Sequence, residues 1–350
     1  MSSLRRLYEK IHENTMNKSL ISVVVPAYNL PEYTEKTIDS IMLQSYRPIE
    51  IIVSDDNSPN SLKDLVDEKK AEFDSEMNIK YFRQKENLNH YWNLQFAIGK
   101  ATGEYLVLLD HDDWLIDCNF FCDSIKAIED QPNCFMSIAN SVYENSPETV
   151  FNLNYSSWHH VDGAAFMRDY LYTSIHPYKS SVMLNFDKLK QLDYKHYFIN
   201  KESANIMKII PDEAFVLICL LASEGGIALT GRVVGVHGMP PISLGRTALW
   251  NKNRGQEMFI QHYLLHNYFE KIGCNPGAQA MRHNLVLRYP CKSINLEILK
   301  YLNFKKTAIV FMVLGVVMLN LRLIISFPRK ILIMLRTITM HGVSLIIKGL

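Results

Sequence analysis

The chain of 350 residues lacks several features, and each lack removes a class of protein. Its six cysteines, Cys118, Cys122, Cys134, Cys219, Cys274 and Cys291, include no Cys-x-x-Cys pair and no His-rich partner spacing. Packed thiols in a reducing compartment are expected, although Cys118 and Cys122, four apart in an expected helix, could supply two ligands to a metal. Gly 15 and Pro 13 are too few for a fibrous or low-complexity chain, and 48% hydrophobic with 21% charged is too apolar for disorder. The N-terminal stretch MSSLRRLYEKIHENTMNK lacks the uninterrupted apolar core of a secretory signal, so export is not expected. No Gly-rich phosphate loop and no Lys/Arg clamp accompany PAYNLPEY after the first apolar run, which argues against nucleotidyl or phosphoryl transfer. Finally, no acidic residue follows Glu297, while eight of the 37 Lys and Arg do. The formal net charge of +1 therefore conceals a body of −7, with 29 bases against 36 acids, and a tail of +8. Such a division is expected of a soluble domain that meets an anionic membrane or polyanion at one end.

What is present is alternation. From Ile21 onward the runs ISVVVPAY, IEIIVSDD, NIKYFRQ and YLVLLD are separated by helix-length amphipathic stretches. This predicts βαβ units, hence a mostly parallel sheet with helices on both faces. In such sheets ligands bind beyond the carboxyl ends of the strands. The length fits roughly two domains, or one large α/β domain with additions.

Three of the expected strand ends carry the chemistry: Pro26-Ala27-Tyr28-Asn29, Asp55-Asp56-Asn57-Ser58 and Asp110-His111-Asp112-Asp113. Each acidic string alone is also an ordinary turn or cap, because Asp, Asn and Ser bond nearby backbone N–H groups. Together they bring five Asp to one edge, and such a concentration of negative charge requires something positive. Asp110 and Asp112 can aim carboxylates at a common point from a turn, and oxygen-only ligands suit Mg²⁺ or Mn²⁺ better than zinc.

The strings VVVPAYN, IIVSDDNSPN and ENLNHYWNLQFAIGKATGEYLVLLDHDD resemble successive motifs of the family 2 glycosyltransferases, and the likeness runs from Ile21 to Ser243. The resemblance implies a GT-A fold, Rossmann-like and α/β, that binds a nucleotide sugar. It implies that Pro26, Ala27 and Tyr28 frame the base and that Asp56 accepts from N3–H of uracil. Asp110 and His111 fall in the nucleotide-sugar site, Asp110 on the ribose or in the metal shell. Asp112 is implied as the principal ligand of Mn²⁺ or Mg²⁺, and whether Asp113 also serves is open. Asn87 and Asn93 lie in the Asn-helix without an assigned contact. The family's catalytic base, an Asp opening a helix, falls on Asp212 of Pro211-Asp212-Glu213, and because Pro211 stands where an acid is usual, Glu213 is an alternate. Val236-His237-Gly238-Met239 is similar to the closing strand and loop, from which His237 can reach the metal or diphosphate; it is equally readable as a loop histidine. Processive synthases of the family show Gln-x-x-Arg-Trp and several spans, whereas this chain has Gln279-Ala280-Met281-Arg282-His283, which implies addition of a single sugar.

The implied partners are a UDP-sugar donor, a glycan or polyprenyl-diphosphate-linked acceptor in surface polysaccharide synthesis, and an anionic membrane surface; nucleic acid is not among them. A non-enzymatic membrane-bound scaffold is the alternative, but it leaves the acid-lined edge unexplained. The expected organisation is an amphipathic extension at 1–20 and a catalytic domain at 21–245, with a nucleotide-binding half at 21–115 and an acceptor half at 116–245. A helical extension at 246–304 and a membrane-associating tail at 305–350 follow. Thr307 to Leu321 carries no charge but spans only about 22 Å as a helix, against roughly 30 Å of bilayer core. Beyond it Arg329, Lys330, Arg336, Thr337, His341, Ser344 and Lys348 share one helical face opposite Ile, Leu, Met and Val. A monotopic or peripheral attachment on the cytoplasmic face of the cell membrane is expected.

Overall fold

The computed structural model describes residues 18–72, 74–146, 148–149, 153–167, 179–197, 213–240, 269–271, 273 and 277–278. Asp212, most of the extension and all of the tail lie outside them, as do the side chain of Glu213 and the Gln279 to His283 string.

The predicted alternation is observed as β1 (Ile21–Ala27), α1 (Pro31–Met42), β2 (Ile49–Asp55), α2 (Lys63–Ala71), β3 (Met77–Arg83), α3 (His90–Ile98) and β4 (Tyr105–Leu108). Then come β5 (Trp114–Leu115), α4 (Phe120–Glu129), β6 (Cys134–Tyr143), β7 (His159–Val161) and α5 (Gly163–Phe166). A 3₁₀ turn at Lys179–Ser181 leads into β8 (Val182–Asn185), α6 (Phe186–Gln191), α7 (Glu213–Glu224) and β9 (Gly226–His237).

One nine-stranded sheet has the order β3-β2-β1-β4-β8-β6-β9-β5, with β7 beside β9. The first four strands are mutually parallel, as the βαβ pattern requires. The far half is mixed: β8 runs antiparallel to β4 and β6, β6 and β9 are parallel, and β5 and β7 are antiparallel to β9.

Alternation along the strands distributes their side chains between two cores. Val24, Ile52, Leu106 and Leu108 join Leu94, Ala97 and Ile98 of α3 and the residues of α7 on one face. Val23, Val25, Ile51, Val53 and Val107 join Ile38 and Ile41 of α1, Val66 of α2 and Phe121 and Ile125 of α4 on the other. Both β1 and β2 are buried along their whole length, which is why their sequences are apolar almost without interruption. Edge strand β3 differs, with Met77 and Ile79 buried and Asn78 exposed. Helix α7 is apolar all round, and Ala214 to Ala222 are all buried; each fully buried Leu, Ile or Phe there contributes about 1.5–3 kcal/mol.

Two local expectations change. The acidic turn after β4 leads into the short strand β5 and not a helix, because Trp114 and Leu115 pair with Val236 and Gly235. Cys118 is exposed and precedes α4, whereas Cys122 lies within it, so the two do not share a helix.

Candidate active site

Parallel register puts the three chemical strand ends together. Ala27 pairs with Asp55, the Asp56 amide donates to the Ala27 carbonyl at 2.8 Å, and the Leu109 amide donates to the Val24 carbonyl at 3.0 Å. The Pro26 to Asn29, Asp55 to Ser58 and Asp110 to Asp113 segments therefore share one edge. Between β1 and α1 the backbone turns through left-handed Asn29 and Leu30, at φ 59° and 54°, and the Asn29 amide donates to Ser58 Oγ at 2.8 Å. Left-handed leucine is uncommon, and its side chain is accommodated here only because this bend must return the chain into α1. At this edge Tyr28 is exposed and Ala27 is buried.

Each acid at this edge has its own electrostatic solution. Asp55 is fully buried and accepts from Ser58 N–H at 2.8 Å, Leu62 N–H at 3.3 Å, Tyr81 OH at 2.6 Å and Arg83 Nη1 at 3.0 Å. Burial alone would raise its pKa, but the hydrogen bonds from Ser58 and Tyr81 prevail and hold it below the ordinary carboxylate range. Asp55 thus shapes the loop that carries Asp56. The Asp56 carboxylate accepts from Leu88 N–H at 2.6 Å, which joins the loop to the segment before α3.

In the acidic turn, Asp110 Oδ1 lies 2.8 Å from Lys179 Nζ, and Lys179 Nζ lies 3.0 Å from His90 Nε2. Burial works against ionisation of Asp110, but the Lys179 charge overrides it and brings the carboxyl to about 2. Burial and the same ammonium push His90 down to about 3, so it is neutral. His111 is buried against the backbone of Pro26 and Tyr28, its ring nitrogens making no aligned hydrogen bond among the described residues, and burial lowers its pKa. It lies beside the end of β1.

Asp113 is fully buried and engages both oxygens within the protein: Oδ1 accepts from His237 Nδ1 at 2.9 Å and from Gly238 N–H at 3.1 Å, and Oδ2 from Ser180 Oγ. That inward set of contacts makes Asp113 a brace between the turn, the end of β9 and the 3₁₀ turn. The Asp113 carboxylate accepts from His237 Nδ1 and so fixes the orientation of the ring; such carboxylate–histidine pairs orient metal-ligating imidazoles. Burial opposes protonation of His237, but the Asp113 hydrogen bond and charge raise its pKa on balance.

Asp112 is the acid without such a solution. Burial first, then the negative charges of Asp113 and Asp110, push its carboxyl up to about 7. A group destabilised as an anion by surrounding anions is the group a cation would relieve, so an oxygen-bound divalent ion fits here. Among the described residues no three His, Cys, Asp or Glu side chains form a complete metal cage.

The sequence reading missed Arg83, Lys179, His90, Ser180 and Gly238, whose roles arise from segments far apart in the chain. Gly238 packs so closely on the turn that a Cβ would come within 1.7 Å of the Asp112 carbonyl oxygen. Gly238→Ala is expected to push the end of β9 off the acidic turn and to lower the melting temperature by a few degrees, about 1 kcal/mol or more; a wild-type melting temperature in that variant would show the contact to be dispensable.

Residues 22–193 match the glycosyl transferase family 2 model. Among curated relatives, a GalNAc(5)-diNAcBac-PP-undecaprenol beta-1,3-glucosyltransferase of Campylobacter jejuni is 38% identical over 97 residues, 27% of this chain and 30% of that protein. The chain thus spans under a third of that relative's length. Of solved structures, Staphylococcus aureus TarS 1–349 in complex with UDP-GlcNAc superposes with a TM-score of 0.59 at 16% identity, covering 79% of this chain and 76% of TarS 1–349. The mannosyltransferase PcManGT of Pyrobaculum calidifontis, in complex with GDP-Man and Mn²⁺, gives 0.50 at 16% identity over 82% of this chain and 79% of that one. Those two likenesses establish the fold. With the family match laid over the same strand ends that gather the acids, residues 22–193 form a family 2 glycosyltransferase domain.

Proposed function

We propose that this glycosyltransferase moves a hexose or N-acetylhexosamine from a UDP-sugar to a hydroxyl of a lipid-linked glycan, inverting the anomeric centre in a single displacement. The observation that carries the reading is Asp112, a carboxylate crowded by Asp110 and Asp113 at the edge where Ala27 and Asp56 meet. UDP is favoured by the fold shared with TarS, which binds UDP-GlcNAc, and a divalent ion by PcManGT with its Mn²⁺. A polyprenyl-diphosphate-linked acceptor is favoured by the Campylobacter relative, whose name states such a substrate.

The assigned roles follow from the chemistry of transfer. The C1–O bond weakens, the ring becomes oxocarbenium-like and the diphosphate leaves with added negative charge. Asp112, with Asp110 and His237 near by, would hold Mn²⁺ or Mg²⁺, which when bound would supply Lewis-acid stabilisation of that leaving group. Asp56 meets the uracil. Asp110, kept ionised by Lys179, accepts from ribose or sugar hydroxyls. The acceptor hydroxyl needs a base to remove its proton during attack, and Asp212 is assigned that role with Glu213, the first residue of α7, as alternate. Attack opposite the leaving group converts an α-linked donor into a β-linked product.

Attachment of the 305–350 tail to the cytoplasmic membrane face would bring this site to lipid-linked acceptors. Among the described residues no helix is long and apolar enough to cross a membrane. A chain ending at Leu302 is expected to leave the membrane fraction, and retention of the truncated protein there would refute tail attachment.

Two further experiments address the chemistry. Asp112→Ala is expected to abolish Mn²⁺- or Mg²⁺-dependent release of UDP from a UDP-sugar with a lipid-diphosphate sugar acceptor; full wild-type activity in excess EDTA would remove the metal from the scheme. Asp212→Asn should lower turnover by roughly 10²- to 10⁴-fold while donor binding persists, and near-normal turnover would reassign the base, with Glu213→Gln the next variant to assay.

A further inference from the structure

Helix α1 contributes no acid to the proposed site, yet it grips the acidic turn. Thr37 is fully buried, and its Oγ1 lies 2.6 Å from the Asp113 carbonyl oxygen, 2.9 Å from that of His111 and 3.0 Å from that of Tyr33. The Tyr33 contact alone would be the ordinary habit of a helical threonine, bonding the carbonyl four residues back. The one hydroxyl proton has three carbonyls within reach, however, and the shortest distance is to Asp113, 76 residues away in the chain. His111 and Asp113 flank Asp112, so Thr37 holds the backbone on both sides of it.

The same face of α1 continues the grip. Ser40 Oγ donates to the Thr37 carbonyl at 2.7 Å and accepts from Leu115 N–H at 3.1 Å. The Lys36 ammonium sits over the Trp114 ring, 3.2 Å from its centroid. Spacings of three residues from Thr37 to Ser40 and four from Lys36 to Ser40 place these groups near one another on a helix, so one rigid element touches residues 111 to 115 at several points. Across the turn, Gly238 presses on the Asp112 carbonyl. Asp112 is therefore clamped between α1 and the end of β9, and α1 itself starts directly after the Tyr28 to Leu30 bend.

We propose that Thr37 is a positioning residue for the metal-binding turn, its hydroxyl fixing the backbone on either side of Asp112 so that the carboxylate is presented to a divalent ion. The proposal rests on the assignment of Asp112 as a metal ligand.

The test uses the full chain as wild type, Thr37→Val and Thr37→Ser, with Mn²⁺ titrated at saturating UDP and followed by electron paramagnetic resonance of the free ion. Thr37→Val keeps the shape and loses the hydroxyl, and is expected to weaken Mn²⁺ binding by about tenfold or more. Thr37→Ser retains the donor and should stay within about threefold of wild type. UDP affinity without metal should be unchanged in both, a pattern that general loosening of the fold would not produce. Thr37→Val with wild-type Mn²⁺ affinity overturns the clamp while leaving the Asp112 assignment intact. A wild-type chain that takes up no Mn²⁺ beside UDP defeats that assignment, and the proposal with it. If Thr37→Val fails to fold, Ser40→Ala decides in its place: weaker Mn²⁺ binding supports the clamp and unchanged binding overturns it.

Discussion

Like charges crowded at a desolvated sheet edge govern this site. A parallel sheet converges its strand ends, and here those ends bring Asp55, Asp56, Asp110, Asp112 and Asp113 together. Removing carboxylates from water is costly unless each receives donors or a cation. The fold answers them separately: Arg83 and Tyr81 for Asp55, the Leu88 amide for Asp56, Lys179 for Asp110, and His237 with Ser180 for Asp113. Asp112 is left with a carboxyl pushed up to about 7. Among the described residues, the least compensated charge thereby concentrates at one carboxylate, where a dication could compete with a proton.

This arrangement depends on rigid support. The acidic turn closes one backbone hydrogen bond of its own, from the Asp113 amide to the Asp110 carbonyl at 3.0 Å, and is held further by neighbouring elements. Thr37 and Ser40 approach from α1, Gly238 from the end of β9, and Ser180 from the turn before β8. The supporting elements are anchored in the two cores: α1 in one through Ile38 and Ile41, and β9 and β8 in both, β9 through Ile227 and Leu229 on one face and Val234 on the other, β8 through Val182 and Leu184 on one face and Met183 on the other. Core packing is thus transmitted to the site through a few hydrogen bonds whose loss would move Asp112 by fractions of an ångström, enough to matter for a metal ligand.

Much of the nucleotide-binding half was legible in the residues. Runs such as ISVVVPA and IEIIVSD are buried on both faces, and continuous β-branched sequence reports that burial directly. The far half was less legible because its sheet mixes directions: β8 is only four residues long and β5 two, too short for periodicity to declare. Tertiary pairing overrode local pattern at Trp114 and Leu115, where the cap-like Asp string led into a strand paired with β9. Lys179 was equally hidden, since no spacing rule connects it to Asp110, 69 residues earlier in the chain.

The sequence by itself determined the alternation of strands and helices, the acids placed where strands must end, and the resemblance that named the donor class. Those are consequences of local propensity and of side-chain chemistry, both written in consecutive residues. Only the tertiary structure decided which acid stays uncompensated. Asp110, Asp112 and Asp113 are near neighbours in sequence and chemically alike, and they differ because Lys179 reaches one, His237 and Ser180 another, and no such protein cation is assigned to Asp112. Electrostatic environment is set by groups brought near in space, and the chain order does not record that proximity.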